Sequence, residues 1–232
     1  MKLQIIFATG NADKVREVSQ ILNDPEIRVF TMKEAGLSSD PEENGSTFEE
    51  NALIKASAVG DMLIAALSSR EHPIPCLKAG IPVVVMSDDS GLVIDALNGE
   101  PGIYSARYLG RETPYPEKMR LIMEKMKNAE GRERSARFVD ACACVVPPQY
   151  LKPGLPLSPT HPSDNAFVVR GVMEGEIGRE IAGEFGFGYD PFFYLPEYGM
   201  SSAAISPDEK NRISHRGKAF RAMMSLLEEV LL

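Results

Sequence analysis

Residues 81–108 read IPVVVMSDDSGLVIDALNGEPGIYSARY, and the rest of the chain can be arranged around this stretch. Its first part, Val83–Met86, is a short apolar run between turn-forming residues, which predicts a buried strand. The polar residues Ser87–Gly91 predict a turn, because Asp, Ser and Gly are common turn formers. Apolar and polar residues then alternate over Leu92–Ala96, which predicts a second strand leaving that turn.

Two adjacent carboxylates, Asp88 and Asp89, lie in the expected turn. An ordinary polar turn is the simplest interpretation of these residues. Carboxylates at the end of a buried strand are costly, however, unless a positive charge meets them. An acidic tip held between two strands would be well placed to bind a divalent cation or to act as a general base.

The composition is ordinary for a globular protein, and we expect one domain over residues 1–232. The net charge of -8 argues against a nucleic-acid polymer as partner, because phosphate backbones bind basic surfaces. A nucleotide, in contrast to a polymer, needs only a few local cations.

The apolar run Leu3–Ala8 is too short for a signal peptide, and no other run is expected to span a membrane, so we expect a cytoplasmic protein. Cys142 and Cys144 should face the same way from a strand as small core residues.

The N-terminus predicts a strand at Leu3–Phe7, then a polar turn at Thr9–Lys14, then a helix. Backbone N–H groups and the positive helix end at such a junction bind anions readily. Thr9 and Asn11 could add hydrogen-bond donors, and Lys14 adds a positive charge. A capped helix with a solvated lysine explains the same residues equally well.

Further patterns predict alternating strands and helices and two surface loops. They indicate a strand at Ile27–Thr31, a helix opened by a capping box of Thr47 and Glu50, a helix capped by Thr113 with Pro114 at its first position, a strand at Ser135–Val146, a strand at Ala166–Met173 with a return strand at Glu176–Ala182 after a turn at Gly175, helices opened by Ser206 and Ser214, and loops over 68–80 and the proline-rich 147–164.

The segment Glu184–Phe193 reads EFGFGYDPFF, with a glycine on each side of Phe187. Such glycines let the backbone approach a flat ligand and leave the ring free to contact it. A hairpin loop with a buried phenylalanine is the alternative interpretation. Together with the cations Lys210 and Arg216, the acidic centre and this ring suit a nucleoside polyphosphate.

In five segments the chain resembles the inosine triphosphate pyrophosphatase family. The matching segments are ATGNADKVREV (8–18), TFEENALIKA (47–56), SDDSGLVIDALNGEPGIYSARY (87–108), FGYDPFF (187–193) and EKNRISHRGKA (209–219). The resemblance implies an elongated, two-lobed α/β fold with a curved mixed central sheet flanked by helices and a nucleotide cleft between the lobes. It also implies a Mg²⁺-dependent homodimer that hydrolyses ITP, dITP and XTP to the monophosphate and pyrophosphate, clearing noncanonical purines from the nucleotide pool.

The resemblance assigns roles to particular residues. Asp89 would be the proton acceptor and a metal ligand, and Glu42 the second ligand, with Glu43 and Glu50 as alternatives. The implied substrate-binding residues are Thr9, Gly10, Asn11, Ala12, Asp13, Lys14, Ser90, Phe187, Gly188, Tyr189, Asp190, Lys210, His215 and Arg216. The chain departs from the family pattern at Phe185, where relatives commonly carry glycine, and in its longer segments 68–80 and 147–164.

Two other functions remain open from the sequence. One is a septum-formation nucleotide pyrophosphatase, a related class that prefers modified pyrimidines. The other is a nucleotide-binding or RNA-binding module without catalysis. The acidic balance speaks against RNA, and paired carboxylates are a poor choice for holding phosphate without a metal.

Overall fold

The computed structural model describes residues 3–69 and 74–232. The loop expected over 68–80 includes residues 70–73, which lie outside the described residues. The helices and strands, in chain order, are β1 (Leu3–Phe7), α1 (Ala12–Ile21), β2 (Ile27–Thr31), α2 (Phe48–Ser68), β3 (Val83–Ile94), α3 (Tyr115–Lys125), β4 (Ser135–Val145), β5 (Ala166–Ile177), β6 (Phe193–Leu195), β7 (Met200–Ser201), α4 (Pro207–Ile213) and α5 (His215–Val230).

In the described part of the chain, the strands form one sheet in the order β2-β1-β3-β4-β5-β6-β7. Strand β1 runs parallel to both β2 and β3, so that Ile5 lies opposite Val29 on one side and Val84 on the other. Strand β6 runs antiparallel to β5 and β7. The predicted mixed α/β class is therefore confirmed.

The chain divides into two compact units. The first unit comprises Met1–Asp89, Ala141–Gly171 and Gly217–Leu232, and the second comprises Ser90–Asp140 and Val172–Arg216. Each of the strands β3, β4 and β5 contributes residues to both units.

The first unit has an apolar cluster on each face of its strands. On β3, the even-numbered residues Val84 and Met86 belong to the cluster formed with α1 and α5, whereas Val83 and Val85 belong to the cluster formed with α2. This division follows from the two-residue period of a strand. Residues farther along β3 are therefore directed in turn toward α1 and toward α2.

The second unit has its own core, in which an apolar stripe of α3 and its C-cap is buried. Met119, Ile122 and Met126 of this stripe pack in one cluster with Phe138 and Phe193. This methionine-rich stripe therefore serves to pack the core. In the first unit the same holds for Cys142 and Cys144, which are both buried core residues with free thiols.

The turn predicted at Ser87–Gly91 is wrong, because β3 continues through it from Val83 to Ile94. Its polar residues are accommodated by partners distant in sequence. The Ser87 hydroxyl donates to the carbonyl oxygen of Ala52 in α2, and both carboxylates also have partners, described below. Because these groups are satisfied inside the fold, a strand can run where local sequence favours a turn.

The turn predicted at Gly175 is also wrong, because β5 is continuous and Glu176–Ala182 is not a separate strand. A Cβ atom at position 175 would lie 2.6 Å from the Phe193 ring and 2.6 Å from the carbonyl oxygen of Tyr194. The glycine is thus required by the close approach of β6, a recognised reason for glycine within strands.

The predicted helices are present, but two of their predicted caps differ from the prediction. Thr47 caps α2 by accepting a hydrogen bond from the Glu50 amide, but the Glu50 carboxylate accepts from Ser46 rather than from Thr47. Helix α3 is preceded by Pro114 as its N-cap, and no side chain caps it, so Thr113 does not play the predicted role. Ser206 caps α4 and Ser214 separates α4 from α5, as predicted.

One helix, α2, bears on the expectation that no run spans a membrane. By length and composition alone, Phe48–Ser68 is long and apolar enough to do so. Core helices of globular proteins can have the same length and hydropathy. In α2 the alanine-rich face that makes the helix apolar is packed in the first unit, where Ala52, Ala56 and Leu63 are fully buried.

Candidate active site

The two carboxylates of β3 point to different helices of the first unit. Asp88 is an even-numbered residue of β3 and therefore faces α1, and its Oδ2 lies 3.0 Å from Nζ of Lys14. Asp89 is an odd-numbered residue and therefore faces α2. There, Asn51 Nδ2 donates to its Oδ2 at 3.2 Å, and Lys55 Nζ lies 3.6 Å from its Oδ1. The period of the strand thus turns a local acidic pair into two separate polar contacts.

Lys55 joins Asp89 to a second carboxylate. Its Nζ donates to Oε1 of Glu43 at 2.9 Å, and Asn51, one helical turn earlier, accepts the Gly45 amide at 2.9 Å through its side-chain oxygen. Residues four apart share one face of a helix. The first turns of α2 therefore hold the loop that carries Glu43 beside Asp89 and Lys55.

The protonation behaviour of this cluster follows from burial and charge. Burial raises the pKa of Asp89, and the positive charges of Lys55 and Lys14 oppose that effect without cancelling it. Burial alone would lower the pKa of Lys55, but the carboxylates of Asp89, Asp88 and Glu43 outweigh it and raise the pKa. Lys55 therefore keeps its charge, while Asp89 accepts a proton more readily than an exposed aspartate does.

The three glutamates considered as metal ligands have different surroundings. Glu43 contacts Lys55, Glu42 is exposed, and the Glu50 carboxylate is bound to the amide and hydroxyl of Ser46. Among residues 3–69 and 74–232, no group of three or more His, Cys, Asp or Glu side chains is arranged to hold a metal ion. The carboxylate oxygens still suit Mg²⁺, which is usually held by one or two carboxylates together with substrate phosphates.

The turn at Thr9–Lys14 is an exposed helix start whose hydrogen bonds are partly internal. Asn11 caps α1, because its Oδ1 accepts from the amides of Asp13 and Lys14 at 2.9 and 3.2 Å. The hydroxyl of Thr9 accepts from the Asn11 amide at 3.2 Å. Gly10, Asn11 and Ala12 remain exposed beside the Lys14 ammonium. An anion would therefore meet the start of this turn rather than the amides already capped.

In the second unit, the half-buried ring of Phe187 lies beside two cations. Lys210 Nζ is 5.4 Å and the Arg216 guanidinium carbon 5.7 Å from the ring centre. These distances are in the range of cation–π contacts. The exposed-ring interpretation and the hairpin-loop interpretation are both partly right, since the loop joins the antiparallel strands β5 and β6.

Asp190 fixes the loop that carries this ring. Its Oδ2 accepts from the Phe187 amide at 2.8 Å and from Lys210 Nζ at 2.6 Å, and its Oδ1 accepts from the Ser202 hydroxyl at 2.8 Å. Both Asp190 and Lys210 are buried. At Gly186, φ is +77° and a Cβ would collide with the Asp190 carboxylate, so this position requires glycine.

Arg216 and His215 open α5 with different partners. Arg216 is 2% exposed, and its guanidinium donates to the Ser90 hydroxyl at 2.8 Å. The His215 ring is stacked on Phe138, with ring centres 4.9 Å apart and 15° between the planes. His215, which was predicted to contact substrate, is thus also a packing residue of the second unit.

Most of the residues singled out from the sequence fall into these two polar groups, one in each unit. Lys14 and Asp89 lie in the first unit, and Ser90, Phe187 and Arg216 lie in the second. The contacts of Lys55 and Asn51 with Asp89 were not predicted. Their spacing of four residues on a predicted helix was the available signal, but nothing in the sequence tied that face to Asp89.

The sequence as a whole matches known proteins over nearly all of its length. A profile of the Ham1 family covers residues 5–226. The chain belongs to the Ham1 family. A dITP/XTP pyrophosphatase from Clostridium perfringens is 37% identical over 228 residues, covering 98% of each chain. One from Haemophilus influenzae is 38% identical, covering 98% of this chain and all of the other (100%).

Solved structures of Ham1 proteins also match the fold. A HAM1 protein from Coxiella burnetii aligns with a TM-score of 0.73 at 36% identity, covering 98% of this chain and 99% of the other. The Ham1 protein of Staphylococcus aureus aligns with a TM-score of 0.71 at 34% identity, covering 97% and 98%. The predicted family is thereby confirmed, and Ham1 membership replaces the septum-formation alternative.

Proposed function

We propose that this Ham1 protein hydrolyses noncanonical purine nucleoside triphosphates, namely ITP, dITP and XTP, to the nucleoside monophosphate and pyrophosphate. The activity is that of its relatives by name, the dITP/XTP pyrophosphatases. One observation carries the proposal: a buried carboxylate, Asp89, lies beside the ammonium of Lys55 in a unit that also presents Lys14. A base flanked by cations is what attack on a polyanion requires.

Asp89 is the proposed general base. Its raised pKa favours acceptance of a proton from water. The water oxygen would form a bond to the α-phosphorus while the bond to the bridging oxygen breaks and pyrophosphate leaves. Asn51 would orient the carboxylate through its hydrogen bond to Oδ2. General-base assistance of this kind is worth about 10²–10⁴ in rate.

The phosphates are assigned to the first unit. Lys14 and Lys55 would neutralise negative charge, and the exposed turn formed by Thr9, Gly10, Asn11, Ala12 and Asp13 would supply polar contacts. Lys14 would exchange part of its contact with Asp88 for a phosphate oxygen. Such an exchange keeps the ammonium paired in both states, which limits the cost of desolvation.

A divalent cation, proposed to be Mg²⁺, would be held by Asp89 and one glutamate of the 42–43 pair. When bound, it would neutralise the triphosphate charge that repels an attacking oxygen. The contact of Glu43 with Lys55, which also contacts Asp89, favours Glu43 over Glu42 as this ligand. Glu42→Gln and Glu43→Gln separate the two, because loss of a ligand raises the Mg²⁺ concentration needed for half-maximal rate.

The purine is assigned to the second unit. Phe187 would stack on the base, and the guanidinium of Arg216 would donate to the oxo group that hypoxanthine and xanthine carry at carbon six. Adenine has a donor at that position, so a donor-only side chain would face it unfavourably. Sites built on such a hydrogen bond discriminate by about 10⁴ or more.

The remaining predicted contacts keep supporting roles. Ser90 would orient Arg216, as its accepted hydrogen bond suggests. Asp190 would fix the loop of Gly188 and Tyr189, and Lys210 and His215 would border the nucleotide.

We also propose that residues 1–232 act as one domain, since the family profile spans 5–226. A cytoplasmic homodimer is proposed too; the three free cysteines fit a reducing compartment.

The test is a substrate panel with product analysis. Purified protein with Mg²⁺ should convert ITP, dITP and XTP to monophosphate and pyrophosphate in equal amounts, and should turn over ATP far more slowly. Chromatography separates these products from the diphosphate and phosphate of an ordinary phosphatase. Equal rates on ATP and ITP would contradict the proposed selectivity, and absence of pyrophosphate would contradict the reaction.

A further inference from the structure

Lys118 of α3 is a buried ammonium in the second unit. Its side chain is 1% exposed, and burial lowers the pKa of the amine. Nζ donates one hydrogen bond, to the carbonyl oxygen of Ala106 at 2.6 Å, and lies 5.2 Å from the centre of the Tyr115 ring. With any carboxylate of the described ranges, 3–69 and 74–232, it forms no ion pair.

The contacts of Lys118 belong to a closed ring of residues. The Tyr115 ring packs edge-on against Tyr189, with centres 5.0 Å apart and planes at 87°. The Tyr189 hydroxyl donates to the carbonyl oxygen of Ser105 at 3.0 Å. Ser105 is the neighbour of Ala106, which accepts from Lys118. Two successive carbonyl groups are therefore held by Lys118 and Tyr189, and Tyr115 fills the space between those two side chains.

This closed ring of residues supports the loop that carries Phe187. A Cβ atom at Gly188 would lie 3.5 Å from the Tyr115 ring, in van der Waals contact, so the ring lies next to the loop backbone at this position. Phe187, one residue before, contacts Lys210 and Arg216 instead. A shift of Tyr115 would therefore move the loop and, with it, the Phe187 side chain that is proposed to stack on the purine.

Stability does not explain a lysine at position 118. A buried charge without an opposite charge is costly, and replacing such groups by apolar ones of similar volume is often neutral or stabilising. Ala106 is exposed, so its carbonyl could bind water if the ammonium were absent. What the ammonium adds is a fixed distance from α3 to Ala106 and a cation against the face of Tyr115.

We propose that Lys118 is a positioning residue for purine recognition, acting through Tyr115 and Ala106 on the loop that carries Phe187. This inference rests on the proposed function, because it assumes that Phe187 stacks on the base. It assigns no chemistry to Lys118 itself. Its consequence is that position 118 controls affinity for the purine and leaves affinity for the phosphates unchanged.

The test compares two ligands in a protein that binds without turnover. In an Asp89→Asn background, calorimetry with Mg²⁺ gives the Kd of ITP and of inorganic tripolyphosphate. Adding Lys118→Met should weaken ITP binding about threefold to tenfold, the worth of one lost hydrogen bond, and leave tripolyphosphate binding unchanged. Lys118→Arg should restore ITP affinity, because it keeps a donor and a cation over the ring.

Two further measurements separate positioning from a merely structural role. With position 89 intact, Lys118→Met should raise KM for ITP with kcat nearly unchanged, and its Tm should not fall. Tyr115→Leu should share the KM effect, whereas the matched control Tyr115→Phe, which keeps the ring, should behave as the parent protein.

Several results would overturn the inference. They are unchanged ITP affinity, equal weakening of both ligands, or a fall in Tm accompanied by loss of kcat on every substrate. Failure of the proposed function looks different, because the parent protein would then release no pyrophosphate from any noncanonical triphosphate.

Discussion

Replacing Asp89 by asparagine should remove activity without weakening the fold. The substitution deletes the proposed base, so kcat should fall by about 10²–10⁴. Burial raises the pKa of Asp89, which means that burial disfavours its ionised form in the folded protein. A neutral amide relieves that cost, can still accept from Asn51, and leaves Lys55 paired with Glu43. Tm should therefore stay the same or rise.

The neighbouring substitution Asp88→Asn is the matched control, with the opposite expectation for stability. It removes the negative charge from the contact of Asp88 with Lys14 at 3.0 Å, where the two side chains are 0% and 15% exposed. Losing a buried hydrogen bond to a charged group costs about 1.5–3 kcal/mol. For a chain of 232 residues this corresponds to a decrease in Tm of about 3–12 °C.

The assay pairs thermal unfolding, followed by circular dichroism, with initial rates of pyrophosphate release at saturating ITP. The reasoning is refuted if Asp89→Asn keeps more than about a tenth of the parent kcat, since a base worth 10²–10⁴ would then be absent. It is also refuted if Asp89→Asn lowers Tm as much as Asp88→Asn does.

Three other substitutions test separate parts of the account. Arg216→Met should reduce the preference for ITP over ATP at least about tenfold, because one donor to the oxo group is lost; ratios of kcat/KM measure this, and an unchanged ratio would contradict it. Lys55→Met should lower kcat about 10²-fold or more by removing a cation beside the reacting phosphate, and parent-like single-turnover rates would exclude that role. Gly175→Ala should cost about 1–3 kcal/mol by overpacking, since its Cβ would lie 2.6 Å from the Phe193 ring; urea unfolding measures this cost, and a parent-like midpoint would show that β6 can move away.

The fold could be predicted wherever local pattern and packing agree. The strands at Leu3–Phe7 and Ile27–Thr31 have the predicted bounds, because each is a short run between polar turn residues. The prediction failed at Ser87–Gly91, where turn-forming residues continue a strand. The polar groups there are satisfied by groups more than thirty residues away, such as the Asn51 side chain for Asp89 and the Ala52 carbonyl for Ser87. Local sequence does not reveal such contacts.

The candidate site was predictable residue by residue but not in its pairings. The sequence singled out Asp89, Phe187 and Arg216, and the family resemblance supplied their roles. It did not show that Lys55 would bridge Asp89 and Glu43, because that contact needs the register of β3 against α2. Pairings of this kind arise from the sheet and not from the motif that contains them.

Isotope labelling of the products tests the central claim most directly. Turnover of ITP in H₂¹⁸O, followed by ³¹P NMR and mass spectrometry, shows which phosphorus the water attacks. Attack at the α-phosphorus, assisted by Asp89, places one labelled oxygen in inosine monophosphate and none in pyrophosphate. Label in pyrophosphate instead, or labelled monophosphate formed as fast by the Asp89→Asn variant, would contradict the account.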